Sequence, residues 1–129
     1  MKTIYVFGNE VLDYDNLAKN IAKEIKLENI NFKPIDSLNE IFDIQESNLN
    51  ILDVVKGITK TTLITDLDKI QKPNMYSLHD FDITFYLKLM KELKRVNKIN
   101  IIGIPQSGDK EEIKKEVIKI IHSHVTSKK

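Results

Sequence analysis

The chain has 129 residues, enough for one domain that buries roughly two-thirds of its unfolded surface, with no room for a second. Lys and Arg number 20 against 19 Asp and Glu, a formal charge of +1 with the signs interspersed, which excludes a nucleic-acid footprint and a patch for anionic membranes. The lack of cysteine excludes a disulfide framework and thiolate catalysis.

The opening Met1-Lys2-Thr3-Ile4-Tyr5-Val6-Phe7-Gly8 is too short, and too soon ended by Gly8-Asn9, for a signal peptide. No apolar run approaches the ~18 residues of a membrane helix. A cytoplasmic protein with no membrane or nucleic-acid partner is expected.

Short apolar runs alternate with amphipathic ones, the pattern of a βαβ protein. Ile4-Tyr5-Val6-Phe7 predicts a buried strand. A helix over residues 14–27 follows, with Leu17, Ala18, Ile21, Ala22 and Ile25 on one face. Residues 30–35 predict a second strand, and Ser37 with Glu40 three residues on forms a capping box for a short helix to about residue 44. Asn50-Ile51-Leu52 with Val54-Val55 is a third strand, and β-branched Thr61-Thr62-Leu63-Ile64-Thr65 a fourth. The connection between them, through Gly57, is too short for a crossover helix, so these two are expected to pair antiparallel. Beyond Pro73, Phe81, Phe85, Leu89, Leu93 and Val96 predict a helix over 81–96. Residues 99–103 form the last buried strand and 110–125 the last amphipathic helix. The expected fold is α/β and three-layered, a mixed, mostly parallel five-stranded sheet with helices on both faces.

Ligands of open α/β sheets bind in the crevice outside the carboxyl ends of the strands. Three segments point there: Gly8-Asn9-Glu10-Val11-Leu12-Asp13-Tyr14-Asp15, Ile51-Leu52-Asp53-Val54-Val55 and Ser77-Leu78-His79-Asp80. Asp15, Asp53 and His79 supply two carboxylates and an imidazole, a set that binds zinc, nickel or iron and leaves coordination positions open. Each residue also has a plainer role. Asp15 near a helix start is favourable against the helix dipole, and His79 two residues after Ser77 can cap the helix it opens. Asp53 is harder to explain by packing, because a carboxylate between Leu52 and Val54 in a core strand is costly unless paired or metal-bound. His122 and His124 have no acidic neighbours in sequence and are expected at the surface.

Gly8-Asn9, Leu12 and Asp15 resemble the Gly-Asn-x-x-Leu-x-x-acid opening of the hydrogenase maturation proteases, which trim the C-terminal tail of nickel-iron hydrogenase large-subunit precursors. Asp53-Val54-Val55-Lys56-Gly57 followed by Thr61 resembles that family's Asp-Ala-Val segment with its trailing glycine. Ser77-Leu78-His79 is similar to its Ser-x-His, and Ile101-Ile102-Gly103-Ile104-Pro105 to its Gly-Ile strand end. The pieces stand in the family's order across nearly the whole chain. The resemblance implies a phosphorylase/hydrolase-like sheet, a metal site and catalytic set of Asp15, Asp53 and His79, and a monomeric endopeptidase acting on a hydrogenase large-subunit precursor. Nickel carried by that precursor is the implied metal, with another divalent ion as the alternative.

Several positions depart from the family pattern. Tyr14 stands where an acid is usual, with Asp13 displaced by one, and Ala18 replaces a glycine of the first helix. The Asp-Gly-Gly-Thr-like recognition loop after strand two reads Asp36-Ser37-Leu38-Asn39, and Gln-Pro is transposed to Pro105-Gln106. Two mechanisms stay open. A metal held by the enzyme polarises the scissile carbonyl or activates a water; a metal brought by the substrate is instead sensed by the three ligands, with Asp13 as base or water-orienting group. Two other readings are a non-cleaving relative that binds a hydrogenase subunit, and a receiver-like signalling domain. The receiver needs its acid pair directly after strand one, where Gly8 to Leu12 intervene, and a lysine where Ile104 precedes Pro105.

Overall fold

The computed structural model describes residues 2–7, 17–35, 40, 44, 46–56, 58–65, 77–78, 90–92, 94 and 96–125. In chain order these give β1 (Lys2–Phe7), α1 (Leu17–Glu24), β2 (Ile30–Ile35), β3 (Asn48–Lys56), β4 (Thr62–Ile64), β5 (Ser77–Leu78), β6 (Lys98–Ile104) and α2 (Lys110–Ile120). A wider π-helical turn at Ile121–Val125 continues α2. The strands lie in the order β2-β1-β3-β6-β4, with β5 added beside the end of β3. β1, β2, β3 and β6 run parallel, while β4 is antiparallel to β6 and β5 antiparallel to β3. The α/β class with a mixed, mostly parallel sheet is thus as the sequence predicts.

The strand-four pairing differs. β4 pairs with β6, through Thr62 and Gly103, Leu63 and Ile102, and Ile64 and Ile101, and not with β3. β3 and β6 share seven paired positions, from Asn48 with Lys98 to Val54 with Ile104. That long parallel ladder of two apolar runs takes the place beside β3, and three-residue β4 caps the outer edge. The short connection after β3 excludes a crossover helix, yet it does not require the next strand to be a neighbour.

Burial explains the order. Residues 49–55 of β3 and 99–104 of β6 are buried throughout, as strands covered on both faces must be. β2 carries Lys33 and Pro34 and is buried only at its two ends, Ile30 and Ile35; proline donates no ladder hydrogen bond and is tolerated at an edge. One core cluster gathers Ile4, Val6, Leu52, Val54, Ile102 and Ile104 under Ala18, Ile21 and Ala22 of α1 and Ile113 and Val117 of α2. The opposite cluster gathers Tyr5, Phe7, Ile51, Val55, Ile64 and Ile101 with Ile44, Met90 and Val96 from the connecting stretches.

Asp109 caps α2, its Oδ1 accepting from the Glu111 amide at 3.0 Å, and Gly108 at φ 145° makes the turn before it, a conformation that side chains with a Cβ rarely adopt. Ile113, Val117, Ile121 and Val125 then recur every four residues on the buried face. α1 and α2 are tied where Glu24 meets Lys110 and Lys114, and those lysines hold the Glu24 carboxyl below its usual value. The helix expected over 81–96 lies mostly outside the described residues. Residues 90–92 are helical, and Lys94 at φ 61° takes the left-handed conformation with which helices often end, short of Val96. The short helix from Ser37 also lies mostly outside the described residues. Among the described residues no helix is long and apolar enough to cross a membrane.

Candidate functional site

The strand order reverses at β1. Its chain successor β2 lies on one side and β3 on the other, so the carboxyl ends of β1 and β3 flank the switch point where open α/β sheets form their ligand crevice. Val6 pairs with Leu52, which sets Phe7, the last residue of β1, level with Asp53.

Asp53 is fully buried, at 0% exposure. Its Oδ1 accepts from the Val54 backbone amide at 2.8 Å. By alternation along the strand it shares a face with Ile51 and Val55, which belong to the cluster opposite α1 and α2. Across the sheet Asp53 pairs with Gly103, and Gly103 pairs in turn with Thr62. The row therefore offers a carboxylate, a missing side chain and a hydroxyl. Thr62 Oγ1 donates to the Lys60 carbonyl at 2.9 Å. A carboxylate in such a place is a hard oxygen donor withdrawn from water, a chemistry that fits a divalent cation.

Asp15 and His79, the other two sequence-predicted ligands, lie outside the described residues, as do Asp13 and the 36–39 loop. The strands adjoining them in sequence are described. Phe7 ends β1 eight residues before Asp15. Ser77 and Leu78, directly before His79, pair with Lys56 and Val55, three and two positions along from Asp53. The two chain stretches that carry the remaining ligands thus adjoin strands hydrogen-bonded to β3.

Ser77-Leu78 forms a strand, β5, that the sequence reading did not expect, while His79 and the start of the helix expected at 81 lie outside the described residues. Pairing supplies the reason: the backbone of Val55 and Lys56 extends past the last β3–β6 pair and takes β5 as its partner. Among the described residues no three His, Cys, Asp or Glu side chains gather as a metal-binding group. His122 and His124 are exposed, as expected.

Lys19 is a group that the sequence reading missed. It is only 3% exposed, in the first described turn of α1. A cue is present: the lysine interrupts the run Leu17-Ala18-Lys19-Asn20-Ile21-Ala22, whose other members include the buried face of the helix. The Thr61 amide, not anticipated either, donates to Glu116 Oε1 at 3.2 Å and ties the start of β4 to α2. Comparison with protein-family models, curated proteins and solved structures finds no match to the chain.

Proposed function

We propose that the chain is an endopeptidase of the hydrogenase-maturation kind, removing the C-terminal extension of a nickel-loaded hydrogenase large-subunit precursor. The observation that carries this reading is Asp53, a fully buried carboxylate at the carboxyl end of a central parallel strand, beside the switch point. A carboxylate among Leu52, Val54 and Val55 is a placement that apolar packing does not favour, and its position near the end of a central strand supports a functional role. The ordered resemblance across the chain names that use.

In this reading nickel arrives in the substrate, and Asp15, Asp53 and His79 recognise it. The Asp53 carboxylate is held in one orientation by the Val54 amide, which donates to its Oδ1. His79 supplies the softest donor of the three. Asp13 accepts a proton from the attacking water. Cleavage then follows only for precursor that carries the metal, which makes the site a checkpoint as well as a catalyst.

A second reading, a relative that binds a precursor without cutting it, draws on Asp36-Ser37-Leu38-Asn39, where the glycines of the family's recognition loop are missing. The receiver-like reading is weakened by β4, antiparallel to β6 where a receiver sheet is wholly parallel. The deciding experiment incubates the chain with nickel-loaded and nickel-free large-subunit precursors and follows precursor mobility on a gel. Shortening of the loaded form alone supports the peptidase; stable association without shortening supports the binding relative.

A further inference from the structure

Gly103 lies beside Asp53 in the β3–β6 register, and a side chain there has nowhere to go. A Cβ built on Gly103 would stand 2.7 Å from Val55 Cγ2 and 3.4 Å from Ile64 Cδ1. The first distance is far inside van der Waals contact. Val55 has no easy escape, because it is fully buried and a β-branched residue is stiff at χ1. It also has a backbone duty, pairing with Leu78 in β5.

We propose that Gly103 is a positioning residue for Asp53: its missing side chain is the slot into which Val55 leans, and that lean sets the end of β3. Asp53 and Val55 are two residues apart on one strand face, so a displacement of Val55 is carried to the Asp53 carboxylate through a single peptide turn of the pleat. The same displacement strains the pairing of Val55 with Leu78, the residue before His79 in sequence. Gly103 touches no substrate; it acts through Val55. The proposal rests on the reading of Asp53 as a metal-recognising ligand.

The test uses cobalt(II) as a stand-in for the metal that the substrate would bring, added to the whole chain and read by its absorption bands on titration, with thermal unfolding measured alongside. Gly103→Ala is expected to weaken cobalt binding about tenfold or more and to alter the band pattern, the size of effect seen when the support behind a ligand is disturbed. Adding Val55→Ala removes Cγ2 and is expected to restore both affinity and spectrum in the double variant. A loss of stability alone does not alter the band pattern of the folded protein. Unchanged cobalt binding in folded Gly103→Ala, or no recovery in the double variant, overturns the proposal. If Gly103→Ala alone does not fold, the comparison is between Val55→Ala and the double variant, where equal affinity supports the slot and a tenfold gap contradicts it. Failure is separable from failure of the underlying reading: if the unaltered chain and Asp53→Asn show the same lack of cobalt bands, the metal-ligand role falls first and the positioning role with it.

Discussion

Asn100 Nδ2 donates to Asn50 Oδ1 at 3.1 Å, across two strands whose register sets these residues directly opposite one another. Both side chains are buried, at 7% and 6% exposure, on the face covered by α1 and α2. The pair locks β3 to β6, because a slip of the ladder leaves both amides among apolar neighbours without each other. Asn100→Leu alone strands the Asn50 amide and is expected to cost about 1–3 kcal/mol, whereas the double change to leucine restores most of that loss. A double-mutant cycle by chemical denaturation measures the coupling; additive losses would show that the pair contributes no register energy.

Tyr5 donates its phenol to Glu46 Oε2 at 2.5 Å. Burial first, then the Glu46 hydrogen bond and charge, push the phenol well above its usual value. The folded state therefore keeps a proton that the unfolded chain releases near pH 10, so the stabilisation is complete below about pH 10 and declines as pH rises beyond it. Unfolding free energies from pH 7 to 11 are expected to fall more steeply in the unaltered protein than in Tyr5→Phe. Parallel curves would show that Tyr5 is not linked to the alkaline loss.

Asp53→Asn and Asp53→Ala are expected to abolish cleavage while changing stability by less than about 3 kcal/mol, since either change also removes the cost of burying a charge in the strand. Asparagine retains an oxygen for the Val54 amide and is expected to be the milder of the two. Chemical denaturation decides the point. A larger loss in both variants would make Asp53 a structural partner in a buried network.

Much of the architecture was legible because it follows from local pattern. β2 begins and ends where its apolar limits, Ile30 and Ile35, stand, and α1 and α2 bury the faces their spacing predicts. Asp53 was legible as a charge inside an apolar run. The neighbour of β4 was not, because an edge strand's partner depends on which long strands find each other first, a non-local matter. The end of the helix before β6 was obscured by Lys94, which takes a conformation usually left to glycine. Gly103 carried no local signal as a partner of Asp53; its importance comes from register and from Val55 two positions along the neighbouring strand. Asp15 and His79 are singled out by residue type after the strand ends and by the resemblance, and both lie outside the described residues.

In the proposed function Asp53 and His79 act together on a metal-bearing substrate. The direct measurement is mass spectrometry of the peptide released from a nickel-loaded large-subunit precursor by the unaltered chain, by Asp53→Asn and by His79→Ala. The unaltered chain is expected to release one C-terminal peptide from the loaded precursor and none from the nickel-free form, and both variants to release none. Release at the normal rate by either variant, or equal release from nickel-free precursor, would contradict the assigned site.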